Sequence, residues 1–277
     1  MKLVPTLYEK PWGRTELPSP FDGMARNADG PIGEIWFESP DRRYLPVLVK
    51  YLFTDAKLSV QVHPDDDHAT ASGLLSGKNE CWYITAAEPG AMLGLGLTRS
   101  ISHEELKAAA LDGSIEALLN WRSISAGQFY VVPAGTIHAM SGGISLIEFQ
   151  QNVDVTYRLY DYGRPRELHL GDAVAVAQAA PYPEENVLCV DPDGPVEQPL
   201  AHFPQFDVVY SRDVWSSRAN RMERAMWVVP LAGEIVAGGE GAVPGELLYL
   251  APNEEVEPPQ GDMAALIGIA IGDEISP

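Results

Sequence analysis

The sequence predicts a mainly β protein. Glycine (25 residues) and proline (23 residues) are spread along the 277-residue chain, and the runs between them are short, apolar and rich in Val, Ile, Leu and Tyr. Runs of that kind bounded by turn residues read as strands, since proline supplies no ladder donor and glycine supplies turn conformations. Helix-start signals are confined to a few short patches.

Taken in order, strands are expected over 46–53, 57–63, 80–86, 128–132, 144–150 and 155–160. Ser102 followed by Glu105 is a capping-box signature leading into Leu106-Lys-Ala-Ala-Ala-Leu111, and after the Asp112-Gly113 break Ser114 opens a second short helix through Leu119. A third helix is expected over 170–179. Five prolines fall between Pro181 and Pro199, which mark a linker. The expected organisation is therefore a metal-binding catalytic unit over 1–180, a Pro-rich linker over 181–200 and a smaller β unit over 201–277. Strands of that last unit are expected at 206–210, 225–229, 234–237, 246–250 and 264–271. From Ala225 to Pro277 there are nine acidic residues, no basic ones and no histidine, so this unit has little from which to build a catalytic or phosphate site.

Composition narrows the function classes. Lys and Arg number 19 against 39 Asp and Glu, giving a net charge of −20 and a pI near 4.5. Binding through a phosphate backbone or an anionic membrane needs a field of basic residues, so neither nucleic acid nor membrane is expected as a partner. The two cysteines, Cys81 and Cys189, are too few for a disulfide framework and lack metal-pair spacing, as fits a reducing cytosol. The first residues contain no apolar signal core, and no later run approaches the length of a membrane span. A soluble, cytoplasmic protein is the expectation.

Three segments carry chemistry. Leu58-Ser-Val-Gln-Val-His-Pro-Asp-Asp66 puts Gln61 and His63 two apart on a strand, so their side chains leave the same face, roughly 6.5–7 Å apart along the backbone. Gly77-Lys-Asn-Glu-Cys-Trp-Tyr83 does the same for Lys78 and Glu80, a cation and a carboxylate, and turns Cys81 to the opposite face, toward the core. Gly127 to His138 reads strand, Pro-Ala-Gly turn, histidine, with the pattern G-x5-P-x-G-x2-H. That pattern resembles the second motif of the cupin superfamily, in which the turn delivers a histidine into the mouth of a double-stranded β-helix, or jelly-roll, barrel. The first cupin motif is present only in part: Gln61-x-His63 stands for the usual His-x-His, and the acidic residue lies 17 positions beyond His63. Two imidazoles, a carboxylate and an amide oxygen suit Zn²⁺ and, less well, Mn²⁺, Fe²⁺ or Co²⁺, with one position left open for water or substrate. His68, His103, His169 and His202 lack such partners and read as surface or structural, and Trp82 and Tyr83 as packing. Arg158, Arg164 and Arg166 concentrate positive charge in an acidic chain. Arg158, inside a strand, is assigned to binding an oxyanion, while Arg164 and Arg166 stay open between that role and a solvated face.

Taken together, Lys10-Pro-Trp-Gly13, Gly33-Glu-Ile-Trp36, Gln61-Val-His-Pro-Asp65, Gly77-Lys-Asn-Glu-Cys-Trp-Tyr83, Val132-Pro-Ala-Gly-Thr-Ile-His-Ala139 and Asn152-Val-Asp-Val-Thr-Tyr-Arg158 closely resemble the type I phosphomannose isomerases, in a short bacterial form, over about residues 8–175. The resemblance implies a zinc enzyme that interconverts mannose 6-phosphate and fructose 6-phosphate, with one Zn²⁺ per chain and a small sugar phosphate as its partner. It puts Gln61, His63, Glu80 and His138 on the family's metal ligands, Lys78 on the lysine beside them and Arg158 on the essential arginine. Glu148 and Asp154 fall on nearby acidic positions, with Glu148 the first candidate for proton transfer and Asp154 the second. The chain departs from larger members in lacking their helical domain and in its compressed stretch between Arg14 and Pro31, and the C-terminal unit reads as a degenerate cupin without ligands. The competing readings are another cupin sugar reaction, such as nucleotide-sugar epimerisation, an Fe-dependent oxygenation that Gln61 disfavours, and a non-enzymatic sugar-sensing cupin, for which no DNA-binding region is present.

Overall fold

The computed structural model describes residues 1–271. Along the chain run the strands β1 (Val4–Arg14), β2 (Ile32–Glu38), β3 (Val47–Thr54), β4 (Val60–Val62), β5 (Glu80–Ala87), β6 (Met92–Leu97), β7 (Leu119–Ser123), β8 (Gln128–Val132), β9 (His138–Met140), β10 (Ile144–Gln151), β11 (Tyr157–Tyr160) and β12 (Val187–Cys189). The C-terminal part adds β13 (Glu197–His202), β14 (Phe206–Ser211), β15 (Met226–Ala232), β16 (Ile235–Ala237), β17 (Glu240–Ala242), β18 (Leu248–Leu250) and β19 (Ala264–Ala270). Short helices α1 (Asp66–Ala71), α2 (His103–Asp112), α3 (Ile115–Leu118), α4 (Leu170–Val176) and α5 (Val214–Ala219) interrupt them. The fold is mainly β, as expected. The capping box behaves as the sequence predicts: Ser102 Oγ accepts the Glu105 N–H at 3.1 Å and Gly113 ends α2. Among the described residues no helix is long and apolar enough to cross a membrane.

The strands form a seven-stranded sheet in the order β1-β2-β3-β10-β5-β8-β12, a five-stranded sheet β11-β4-β9-β6-β7, and a second five-stranded sheet β13-β14-β19-β15-β18. The seven-stranded sheet is covered on both faces, which is why β3 and β10 are buried along their whole lengths. Alternation divides their side chains. Val49, Tyr51, Phe53, Cys81, Ile147 and Phe149 join a cluster with Phe206, Trp227, Tyr249 and Leu266 of the C-terminal sheet. The residues between them, such as Leu52, Trp82 and Leu146, turn the other way to meet Leu93, Leu95 and Met140 of the first five-stranded sheet. At one end of that second interface the packing is polar, and there the candidate site lies.

Two features depart from the expectation. The Pro-rich stretch 181–200 carries β12, whose Val187, Leu188 and Cys189 pair with Tyr130, Phe129 and Gln128 and extend the seven-stranded sheet. The residues between Pro183 and Pro192 keep their N–H donors, so a strand is possible where proline density suggested a connector. Pro199 in turn sits next to a register shift in β13, the edge strand of its sheet, where a missing donor costs no ladder bond. The N-terminal strands β1 and β2 also escaped the sequence reading. Pro5 and Pro11 masked β1, which tolerates them as an edge strand with register shifts flanking Glu9.

Candidate metal centre and its cavity

Local geometry gathers three buried side chains. Strand β4 carries Gln61 and delivers His63 just beyond its end, and Gln61 pairs with His138 at the start of β9. The Pro133-Ala134-Gly135 turn swings the chain into β9. Gly135 has φ +84°, the left-handed region that suits glycine, and its N–H reaches His63 O at 2.8 Å. Glu80 opens β5 across from Val132. As a result His63 Nε2 lies 3.5 Å from one Glu80 oxygen and His138 Nε2 lies 3.4 Å from the other. Among the described residues this is the one cluster of three or more His, Cys, Asp or Glu with donor atoms mutually within 4.8 Å.

The cluster fits a zinc ion on three counts. Tetrahedral ligands at the usual Zn–N and Zn–O lengths stand roughly 3.4 Å from one another, close to the two imidazole–carboxylate separations found. Both imidazoles are held in one tautomer: His63 Nδ1 donates to Val155 O at 2.8 Å and His138 Nδ1 to Thr136 O at 2.9 Å, which leaves the Nε2 lone pairs facing inward. Both Glu80 oxygens are buried, and their polar neighbours, Lys78 Nζ at 3.1 Å and His63 Nε2 at 3.5 Å from Oε2 and His138 Nε2 at 3.4 Å from Oε1, meet them without good hydrogen-bond geometry. A buried carboxylate left so poorly satisfied is costly unless a cation shares it. Gln61 lies beside the cluster, with Nε2 3.1 Å from His138 Nε2 and Oε1 accepting from Ser59 Oγ at 3.0 Å. A half-turn of the amide presents its oxygen to the centre, and a serine hydroxyl can serve either amide end.

Burial sets the protonation states. It drives His63 well below its ordinary pKa, with Lys78 adding to the effect, and brings His138 down to about 4, so both rings are neutral ligands near neutral pH. Burial penalises the Lys78 ammonium too, but the Glu80 and Glu148 carboxylates outweigh it and lift the pKa. For Glu148 burial prevails over the pull of Lys50 and lifts the pKa to about 7. Lys50 Nζ lies 3.5 Å from Glu148 Oε2, and Lys78 Nζ lies 3.8 Å from Oε1. Lys10 and Glu34 extend this alternating array at 3.2 Å.

These groups line a cavity of about 290 Å³ between the two sheets. Of the residues nominated from sequence, Gln61, Lys78, Glu80, Glu148, Asp154 and Arg158 line it, while His63 and His138 meet it through their contacts with Glu80. Glu148 is buried and Asp154 exposed. Arg158 lies directly across from Gln61 in the β4–β11 ladder. Arg166 also lines the cavity and Arg164 does not, although one buried carboxylate, Asp161, holds both: its oxygens accept from Arg166 Nε at 2.6 Å and Nη2 at 2.7 Å, and from Arg164 Nε at 3.0 Å. His169, read from sequence as surface or structural, has a structural role and a second one. Its Nδ1 accepts the Arg158 N–H at 3.2 Å, and its ring forms part of the cavity wall. Lys10, Glu34 and Lys50 were not singled out. For Lys50 the signal is a charged residue inside an otherwise apolar strand run, Val47-Leu-Val-Lys-Tyr-Leu-Phe53, where burial requires a partner.

No family model matches the chain. Among curated proteins it is 37% identical over 212 residues to the probable mannose-6-phosphate isomerase GmuF of Bacillus subtilis, a match spanning 63% of this chain and 67% of that protein. It is 41% identical over 171 residues to mannose-6-phosphate isomerase ManA of the same organism, covering 57% and 54% respectively. Among solved structures, the mannose 6-phosphate isomerase from Bacillus subtilis superposes with a TM-score of 0.74 at 25% identity, covering 96% of this chain and 98% of that one. A zinc-bound mannose 6-phosphate isomerase superposes with a TM-score of 0.69 over 97% and 98% of the two chains, and at 15% identity it supports the shared fold alone.

Proposed function

This chain belongs to the mannose-6-phosphate isomerase family, and from that membership we propose that it interconverts mannose 6-phosphate and fructose 6-phosphate at a Zn²⁺ held by Gln61, His63, Glu80 and His138. The observation that carries the reading is the convergence of two neutral imidazoles, His63 and His138, on the buried Glu80 carboxylate, which lines the cavity together with Lys78 and Glu148. Zinc, when bound, acts as a Lewis acid that polarises the sugar carbonyl.

The chain's own residues supply the rest. Moving a carbonyl between C1 and C2 takes a proton from one carbon and returns it to the other through a cis-enediolate. Glu148 is assigned the transfer: it takes the C2 proton of the aldose on a carboxylate oxygen while the C2–H electrons form the C1–C2 double bond and the C1 carbonyl π electrons move to O1. The O2 hydroxyl proton passes to O1, and as an O2 electron pair forms the C2 carbonyl the double-bond electrons take the proton back from Glu148 at C1. Its pKa near 7 suits a group that must both accept and release a proton. Asp154, exposed at the cavity wall, is the second candidate. Lys78 carries a fixed positive charge beside the oxygens that become negative. Arg158, on the cavity wall, is assigned to the charge that develops on the enediolate, and Arg166, on the same wall of a chain with net charge −20, to the phosphate dianion. In this reading residues 1–180 carry the reaction and 201–277 support it. A cytoplasmic setting agrees with Cys81 and Cys189 both being free thiols.

The test is isomerisation of mannose 6-phosphate in deuterium oxide, followed by NMR. Enediolate chemistry predicts solvent deuterium at C1 of the fructose 6-phosphate formed, or transfer of a C2 label to C1. Conversion with neither would remove the proton-transfer step from the account.

A further inference from the structure

Behind the metal cluster lies a polar network that crosses from the C-terminal sheet. Gln205, at the turn between β13 and β14, donates through Nε2 to Asp66 Oδ2 at 2.5 Å and accepts through Oε1 from Asn79 Nδ2 at 3.2 Å. Asp66 opens α1 three residues after His63, and its Oδ1 accepts from Gly77 N at 2.7 Å and from Gln151 Nε2 at 2.8 Å. Gln151 Oε1 accepts from Asn79 N at 2.9 Å, and Asn79 Oδ1 accepts from Ala134 N at 3.0 Å. Every side-chain oxygen and amide nitrogen of these four residues is engaged.

The connections are selective. Asn79 stands between Lys78 and Glu80, and Ala134 lies in the turn that delivers His138, so the network reaches all three segments that bear the cluster. The fit around Gly77 is equally close: an added Cβ would lie 2.4 Å from Asp65 C and 2.5 Å from Asp66 N, so the entry to β5 is pressed against the start of α1. Lys78 and Glu80 line the cavity, and Asn79 between them does not. A bond to the Asn79 side chain therefore fixes the peptide that aims both neighbours without touching substrate.

We propose that Gln205 is a positioning residue, through which the C-terminal β unit holds the Lys78–Glu80 segment and the 133–138 turn in metal-binding geometry. The inference rests on the zinc reading of the cluster. It gives the C-terminal unit, which holds no ligand cluster among the described residues, a part in the chemistry. Outer partners of metal ligands commonly alter metal affinity by about 10- to 100-fold.

The experiment compares the full-length wild type with Gln205→Ala and Gln205→Met, the latter keeping most of the side-chain volume without its hydrogen bonds. Zn²⁺ affinity is measured by competition with a chromophoric chelator, kcat and KM by assay of the zinc-loaded proteins, and folding by the thermal midpoint of the metal-free proteins. Both variants are expected to bind Zn²⁺ about 10- to 100-fold more weakly. Both should also lose kcat with KM within about twofold of wild type, the pattern left when alignment at the reacting centre is lost. Combining Gln205→Ala with Asn79→Ala should weaken Zn²⁺ binding by less than the product of the two single effects, since both act through one network. A wild type that binds Zn²⁺ tightly alongside a folded Gln205→Met with the same affinity and kcat overturns the inference alone, even if its thermal midpoint has fallen. A wild type that binds no Zn²⁺ overturns the reading beneath it.

Discussion

Arg158 stands directly opposite Gln61 across the β4–β11 ladder. Residues facing each other in an antiparallel pair project from the same side of the sheet, and both side chains line the cavity. The guanidinium thus shares a wall with the amide that completes the proposed ligand set. Burial, with Arg166 nearby, lowers the pKa of Arg158; its Nη1 donates to Glu167 O at 3.3 Å, and its buried Nε makes no hydrogen bond.

If Arg158 stabilises charge that develops in the enediolate, Arg158→Lys keeps the charge but loses the planar fork. The expected result is a kcat lowered by about 10²–10³ with little change in KM. Steady-state kinetics checks this. A KM raised tenfold or more at unchanged kcat would instead make Arg158 a ground-state phosphate clamp.

His138→Ala should lose bound metal and activity together while keeping the β fold, because it removes one imidazole from a small ligand set. Gln61→Ala should be milder, since a neutral amide is the weakest donor of the four. Elemental analysis and circular dichroism check both variants, and full zinc occupancy in His138→Ala would remove that residue from the ligand set.

Glu148→Gln preserves shape and removes the group assigned to the proton. Zinc content should be unchanged and kcat should fall by about 10²–10⁴. Should Asp154→Asn show that loss and Glu148→Gln not, the transfer belongs to Asp154.

Asp161 offers a test by pH. Burial alone would raise its pKa, but hydrogen bonds from Arg166 and Arg164 outweigh this and hold it below the ordinary value. A carboxyl with a depressed folded pKa adds stability that is fully present above its unfolded value of about 3.9 and is lost as pH falls through the folded value. The thermal midpoint of wild type should therefore exceed that of Asp161→Asn at pH 7, with the gap closing below about pH 4. The same variant frees Arg166 and should raise KM for the sugar phosphate more than it lowers kcat.

What the sequence made legible was local. Gln61 and His63 share a strand face at a spacing of two, and the Pro-Ala-Gly turn announces His138 within a few residues, so their chemistry could be read from short-range geometry. Cys81 facing the core follows from the same alternation, and it lies there fully buried. The approach of Glu80 to both imidazoles is a long-range fact, set by the pairing of β5 with β8 and of β4 with β9. Lys50 was hidden inside an apolar run, and its meaning appears only beside Glu148, directly across from it on β10. Arg166 and Arg164 look equivalent in sequence and are separated by which of them faces the cavity. Gln205 was the least legible, since its partner Asp66 lies 139 residues away.

The central claim is tested most directly by one titration. Protein stripped with a chelator is assayed for conversion of mannose 6-phosphate to fructose 6-phosphate while Zn²⁺ is added back. The account predicts no activity in the stripped protein and a linear return that ends at one Zn²⁺ per chain. Full turnover in the stripped protein, or none in protein carrying one Zn²⁺ per chain, would contradict it.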